Sequence, residues 1–415
     1  MSKGVPTMDS FNFCLPTRFV FGEGAEAECG RLVARYGGTR ALILFGGGSV
    51  VRSGLLGRVK RSLDLALLDH VEMGGVKPNP LSDLVYEGID LARDEKVDFV
   101  LALGGGSVID TAKAIAAGVL YRGDFWDFYG GDLVPDRALP IGCVPTIAAS
   151  GSEGSADSVI TQAGTMLKRE TSSEVLLPAF SLLDPILTET LPPYQTACGV
   201  TDMYSHLLER YLTTTLDVQV TDREIEGLMM AVVELGPRAL ADPSDYQVRA
   251  NLQWAACMAH NNVVGVGRRQ DWASHDIEYA LSSAYGLAHG AGLAVVMPAV
   301  MEHDLGSPLG VSRLARLARR VWGVAEADDV AAAHEGVERQ RAFFRSLGMP
   351  VTLEEAGGRA EDIDRLVYQT CYEGGRTGTV GGFIPFGEDE VRAIFRLMLA
   401  GAPGAVEEPA DARAA

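Results

Sequence analysis

The strongest constraint in this chain is a repeated grammar. A short, mostly apolar run ends in a glycine cluster and passes at once into a helical pattern. Val97–Leu103 ends in Gly104-Gly105-Gly106-Ser107 and leads into a helix-like stretch, Val108–Val119. Ala41–Phe45 ends in Gly46-Gly47-Gly48-Ser49, and the stretch beyond it sets Val51, Leu55, Leu56 and Val59 on one helical face. Strands that are apolar on both faces belong in a parallel sheet covered by helices on either side.

The same alternation continues through the first part of the chain. A run near Leu65–Val71 leads to Pro78-Asn79-Pro80, where Asn79 is expected as a helix N-cap with Pro80 in the first helical position. Leu81, Leu84, Val85 and Ile89 then recur at helical spacing, and Leu139–Val144 is a further apolar strand. After Asp184-Pro185 helical patterns dominate: Pro193–Thr213, Arg223–Leu235, Tyr246–Val263, Ala291–His303, Val311–Val321, Ala331–Leu347, Ala360–Tyr372 and Asp389–Leu399. The expected fold is an α/β domain with a parallel sheet over residues 1–185 and an all-α domain over 186–415. With 415 residues, 47% of them hydrophobic, each part can bury a core. The acidic, alanine- and proline-rich tail from Gly401 is expected to fray.

Charge and composition exclude several classes. A net charge of −19 leaves no basic face for a nucleic-acid backbone. The longest apolar stretches, such as Gly292–Val300, fall well short of the roughly 18 residues a membrane span needs. The polar stretch Met1–Ser10 has no signal-peptide core. Six scattered cysteines without a C-x-x-C pair read as reduced, mostly buried thiols of a cytoplasmic protein.

A glycine-rich turn between a buried strand and a helix suits a phosphate, because backbone N–H groups approach it closely and the helix N-terminus adds positive partial charge. Gly104, Gly105, Gly106 and Ser107 are therefore candidate cofactor contacts, although the spacing is not G-x-G-x-x-G. Gly46, Gly47, Gly48 and Ser49 form a second such turn. No carboxylate follows Phe45 to bond a ribose hydroxyl, and Arg52 lies just beyond, so NADP(H) is favoured over NAD(H).

Asp202 and His206 stand four apart in a helical stretch and project from one face, where they could share a cation. The alternative is an ordinary hydrogen-bonded pair. His275 and His289 would lie about 21 Å apart on one unbroken helix, so the chain must fold back between them if both bind one ion. Tyr285-Gly286-Leu287 offers the break. Taken singly, both histidines also read as hydrogen-bonded core residues.

Taken together, Pro78-Asn79-Pro80, the Gly104–Lys113 stretch GGGSVIDTAK, Pro145-Thr146, Ser150-Gly151-Ser152-Glu153, Leu183-Asp184-Pro185 and these four residues resemble the iron-containing alcohol dehydrogenase family over nearly the whole chain. Gly46–Ser49 and Gln270-Asp271-Trp272-Ala273 look most like its butanol dehydrogenase and NADPH-dependent aldehyde reductase branch. The resemblance implies an N-terminal dinucleotide-binding domain, a helical metal-binding domain, a homodimer, and hydride transfer between NAD(P)H and a small aldehyde or alcohol. It implies Fe²⁺ or Zn²⁺ on Asp202, His206, His275 and His289. Imidazole suits both metals. It also implies that Thr146, Ser150 and Ser152 contact the coenzyme and that Lys168 lies near the nicotinamide ribose; by itself Lys168 reads as a solvated loop lysine. Asp110 either bonds the coenzyme or serves the first turn of its helix.

Two features depart from that branch. Its members often carry histidines four and ten residues after the third ligand, where this chain has Tyr279 and Tyr285. Either tyrosine relays a proton, against a pKa near 10, or fills the pocket wall. Arg268 and Arg269 are adjacent cations in an acidic protein; they either attract an anionic aldehyde or lie in a solvated loop. The alternative activities are a carbon–oxygen lyase of the dehydroquinate synthase type, which recycles its coenzyme, and a non-catalytic nucleotide binder with a structural metal.

Overall fold

The computed structural model describes residues 7–400 except 132, 374 and 375. The tail from Gly401 lies outside the described residues. The chain divides into two compact units, one running to Gln270 and one beginning at Asp271.

The first unit holds strands β1 (Arg18–Phe21), β2 (Arg40–Phe45), β3 (Asp69–Met73), β4 (Phe99–Gly104), β5 (Ile141–Pro145), β6 (Asp157–Thr161), β7 (Lys168–Ser172) and β8 (Phe180–Leu183). Six of them form a parallel sheet in the order β1-β8-β5-β4-β2-β3, while β6 and β7 make an antiparallel hairpin. Helices α1 (Cys29–Arg35), α2 (Ser49–Arg52), α3 (Leu55–Leu65), α4 (Ser82–Asp94) and α5 (Gly106–Leu120) connect the strands. Alternate residues of one apolar run serve two cores. Leu42, Leu44, Val100 and Ala102 pack with Val85, Ile89, Ile109 and Ile115. Ala41, Ile43, Leu101 and Leu103 pack with Leu32, Leu55 and Val59. This is why Ala41–Phe45 and Phe99–Leu103 carry no polar side chain.

The strand order places the candidate cofactor turns. From β2 the chain steps outward to β3, returns to β4 on the other side of β2, and then proceeds away to β5 and β8. The direction of winding reverses between β2 and β4, and a sheet of this kind opens a crevice at the carboxyl ends of its strands at such a point. Phe45 pairs with Leu103, so Gly46–Ser49 and Gly104–Ser107 leave the sheet side by side at that crevice.

Several local expectations change. Leu65 ends α3, Leu67 turns with φ 56°, and the strand expected at Leu65–Val71 starts only at Asp69. Asn79 is not an N-cap: it is left-handed, at φ 52°, and α4 begins at Ser82 after Leu81. The helical face expected from Val51 to Val59 breaks at Gly54, φ 73°. The short strands β1 and β8, paired with each other at one side of the sheet, and the β6–β7 hairpin were not expected, being short runs without clear period.

Helices α6 (Pro193–Tyr211), α7 (Gln219–Ala241) and α8 (Tyr246–His260) also belong to the first unit, although helical patterning starts at residue 186. Of these, α6 and α8 are seated on the loop after β5 with little clearance. A Cβ on Gly199 of α6 would come within 3.0 Å of the Ala148 carbonyl oxygen, and one on Gly151 would do the same to the Ala256 carbonyl oxygen of α8.

Among its described residues the second unit is helical: α9 (Ala273–Tyr285), α10 (His289–Asp304), α11 (Pro308–Val321), α12 (Asp329–Ser346), α13 (Ile363–Cys371) and α14 (Glu388–Ala400). Ile277, Leu281, Val296, Val300, Leu366, Ile394 and Phe395 join α9, α10, α13 and α14 in one core. No described helix is long and apolar enough to cross a membrane. All six cysteines are free, and all but Cys14 are buried.

Candidate functional site

The glycine turn after β4 owes its sequence to what surrounds it. A Cβ on Gly105 would stand 2.7 Å from Ile147 Cγ2, and one on Gly106 2.5 Å from Ser150 Oγ. Thr146 N donates to Gly104 O at 3.2 Å. Glycine thus lets the start of α5 and the loop after β5 close on each other, which brings Gly104–Ser107 together with Thr146 and Ser150.

Ser152 Oγ donates to Asp110 Oδ1 at 2.6 Å, and Val159 N donates to Asp110 Oδ2 at 3.3 Å. Asp110 therefore ties the Ser152–Val159 segment to α5. Burial raises its pKa, against the opposing charge of Lys113 and the Ser152 bond. Sequence reasoning passed over Lys113, which is wholly buried. Its ammonium donates to the carbonyl oxygens of Ser152 (2.8 Å), Ser155 (2.9 Å) and Asp157 (2.7 Å), so its three protons are satisfied within one loop. Burial lowers its pKa, and Asp110 and Asp157 work the other way. Burial also pushes the neighbouring Glu153 carboxyl up to about 7.

In the turn after β2, Gly48 is left-handed at φ 94° and begins α2. The exposed Arg52 bends back over it, with a guanidinium nitrogen 3.5 Å from where a Gly48 Cβ would stand. Lys168 is not a solvated loop residue: it is buried and opens β7 opposite Thr161.

The four candidate metal ligands come as two pairs. Asp202 and His206 are buried one turn apart on α6, with Nε2 and Oδ1 at 3.9 Å. His260, which ends α8, stacks on His206 with ring centroids 4.3 Å apart and planes 7° apart. Its Nε2 lies 3.1 Å from Asp157 Oδ2. Burial works against the Asp157 charge, yet the bond to His260 holds this carboxyl well below the usual range. From the sequence, His260-Asn261-Asn262 read only as a stretch that could line a pocket; the pairing with His206 and Asp157 was not visible, because the contact joins positions far apart in the chain.

The second pair depends on a reversal of the chain. Gly286, φ 66°, ends α9, and α10 opens at His289. The rings of His275 and His289 have their centroids 5.1 Å apart, against about 21 Å on a continuous helix. Entry to α9 is held by Asp271, whose carboxylate accepts from Gly382 N and Phe383 N at 2.9 Å each. Trp272 is left-handed at φ 71° and sets its ring edge-on to His275. The carboxylate of Glu278, fully buried one turn after His275, accepts from His289 Nδ1 and from Ser282 Oγ.

Tyr279 keeps its place beside the histidines, its ring centroid 6.1 Å from that of His289. Tyr285 does not fit a relay role: its hydroxyl donates to Asp362 Oδ2 at 3.0 Å, and burial together with Asp362 raises its pKa. The expectation for Arg268 is also corrected. Its guanidinium donates to Asp222 Oδ1 at 2.8 Å and to the Arg210 carbonyl at 3.1 Å, with both the Arg268 and Asp222 side chains 0% exposed, so it is a buried structural cation that meets no substrate anion. Arg269 is exposed, and its backbone N–H donates to Thr215 Oγ1.

Comparison with known proteins bears on the whole chain. A family model described as iron-containing alcohol dehydrogenase matches residues 16–185, and that of the Fe-containing alcohol dehydrogenase family, C-terminal, matches residues 196–399. The chain is 37% identical to the probable NADH-dependent butanol dehydrogenase 1 of Bacillus subtilis, over 94% of this chain and 100% of that protein. It is 39% identical to the NADPH-dependent aldehyde reductase YqhD of Escherichia coli, over 87% of this chain and 92% of that one. The crystal structure of NADH-dependent butanol dehydrogenase A from Thermotoga maritima superposes with a TM-score of 0.91 at 37% identity, covering 95% of this chain and 99% of that one.

Proposed function

The chain belongs to the iron-containing alcohol dehydrogenase family, and from that premise we propose that it reduces a small aldehyde, or oxidises the corresponding alcohol, with NADP(H) and a divalent cation. The cation, Fe²⁺ or Zn²⁺, is assigned to Asp202, His206, His275 and His289. The observation that carries this reading is the return of the chain at Gly286, which sets His275 and His289 ring to ring. The donor chemistry fits: Asp202, His275 and His289 are a carboxylate and two imidazoles suited to one metal ion, and His206 shares the buried helix face of Asp202. One carboxylate with three imidazoles leaves a divalent ion net positive.

A divalent ion held there supplies Lewis-acid polarisation of the carbonyl oxygen, and the nicotinamide supplies the hydride. The remaining tasks fall to the chain. Gly104–Ser107, at the start of α5, offers backbone N–H groups to the coenzyme pyrophosphate. Thr146, Ser150 and Ser152 line the same wall, and Lys168 is assigned to the nicotinamide ribose. Lys113 and Asp110 hold that wall in shape from beneath. Tyr279 is the hydroxyl assigned to proton delivery in reduction, where one aldehyde, one NADPH and one proton yield one alcohol and one NADP⁺.

The preference for NADP(H) rests on Arg52 over Gly48 and on the lack of a carboxylate at the end of β2. The relatives include both NADH- and NADPH-dependent enzymes, so they do not choose between coenzymes. A cytoplasmic homodimer is part of the same proposal, the free thiols suiting a reducing compartment. The lyase alternative draws no support from these matches.

The test is a panel of aldehydes with NADPH and NADH, using protein loaded anaerobically with Fe²⁺ or Zn²⁺. Metal-dependent, stoichiometric consumption of NADPH is expected. Full turnover after chelation, or after His275→Ala, would sink the proposal.

A further inference from the structure

We propose that Glu278 is a positioning residue for His289, fixing the tautomer and orientation of its ring, and that Gly292 is the notch that admits its carboxylate. The inference rests on the assignment of His289 as a metal ligand. Two helical spacings meet here. On α9, Glu278 follows His275 by one turn; on α10, Gly292 follows His289 by one turn. The Glu278 carboxylate sits between the two helices with no exposed surface. Its Oε2 accepts from His289 Nδ1 and its Oε1 from Ser282 Oγ.

A carboxylate in this position accepts only, so Nδ1 carries the proton and Nε2 keeps its lone pair. That is the tautomer a metal requires of an imidazole held through Nε2, and a carboxylate on the far nitrogen also makes the ligand more basic. His289 needs such a partner. It is the first residue of its helix, its side chain is 26% exposed, and backbone geometry alone does not hold the ring. Gly292 shows how closely the carboxylate is seated. A Cβ there would stand 2.6 Å from Glu278 Oε1 and 2.8 Å from its Cγ. Any side chain at 292 pushes the carboxylate off His289.

The experiment uses the full chain stripped of metal and titrated with Zn²⁺ against a chromophoric chelator, and with Co²⁺ followed by visible absorption. Wild type is expected to bind one ion per chain, and His289→Ala to lose it. Glu278→Gln is expected to bind about 10- to 100-fold more weakly with an altered Co²⁺ spectrum, while its metal-free melting temperature stays near that of wild type. Gly292→Ala, which keeps the carboxylate but displaces it, is expected to show the same loss. Wild-type affinity and spectrum in Glu278→Gln, with His289→Ala unable to bind, overturns the positioning role and leaves the metal site standing. If Glu278→Gln does not fold, wild-type affinity in Gly292→Ala overturns it. Failure of the wild type to bind, or full binding by His289→Ala, instead removes the metal assignment itself.

Discussion

Gly199 of α6 lies flush against the carbonyl of Ala148, so close that no β-carbon fits between them. One turn later the same helix carries Asp202, and two residues beyond Ala148 the loop carries Ser150. This contact therefore sets the spacing between half of the proposed metal site and the wall assigned to the coenzyme. Gly199→Ala is expected to destabilise the protein by about 1–3 kcal/mol through overpacking, and to raise the KM for NADPH. Thermal melts and steady-state kinetics check it; an unchanged melting temperature with unchanged KM refutes it.

Arg268 and Asp222 make a buried pair at 2.8 Å. Removing the cation leaves a carboxylate in a site it cannot leave for water, at a cost of about 3–5 kcal/mol. Arg268→Ala is expected to lower the unfolding midpoint sharply, whereas Arg269→Ala, on an exposed side chain, moves it little. Denaturant titrations of the two variants make the comparison. A stable Arg268→Ala protein with altered substrate range would restore the discarded substrate role.

Burial pushes the Glu153 carboxyl up to about 7 in the folded protein, against about 4.5 for a glutamate in water. Between those values the unfolded chain has released a proton that the folded chain retains, so stability falls as pH rises from about 4.5 to 7 and the penalty is constant above. A difference of that size corresponds to at most about 3 kcal/mol. Glu153→Gln is expected to melt higher than wild type at pH 8, with the gap closing toward pH 4.5. Melting curves across that range decide it, and a gap that widens in acid contradicts the assignment.

Arg52 leans over Gly48, and under the proposed NADP(H) preference its guanidinium is the one assigned to the 2′-phosphate. A charge-assisted bond to phosphate is worth at least a factor of about 10. Arg52→Ala is expected to lower the ratio of kcat/KM for NADPH over NADH by that factor, chiefly through KM. A ratio that does not move places coenzyme choice elsewhere.

Much of the first unit was legible because its signals are local. A run such as Phe99–Leu103 states that both faces are buried, and Gly104–Ser107 states that a turn follows. The shortest strands were not legible, since β1 and β8 have four residues each, too few to establish a period. Asn79 misled because an N-cap residue is equally at home in left-handed backbone. At the site, helix geometry demanded a turn between His275 and His289 if both bind one ion, and Gly286 supplies a turn there. The roles of Lys113, His260 and Glu278 were not legible because their partners come from other elements. Spacing along a chain carries no record of such meetings.

The amino-acid order by itself determined the alternation of strand and helix, the glycine turns and the change of grammar near residue 185, which depend on periodicity and backbone allowance acting over a few residues; the candidate ligands came from the family resemblance of its motifs. Only the tertiary structure decided where winding reverses, that Arg268 is locked inside, that Tyr285 faces Asp362, and that Glu278 orients His289. Each depends on which distant surfaces exclude water together, and burial of that kind is a property of the packed chain.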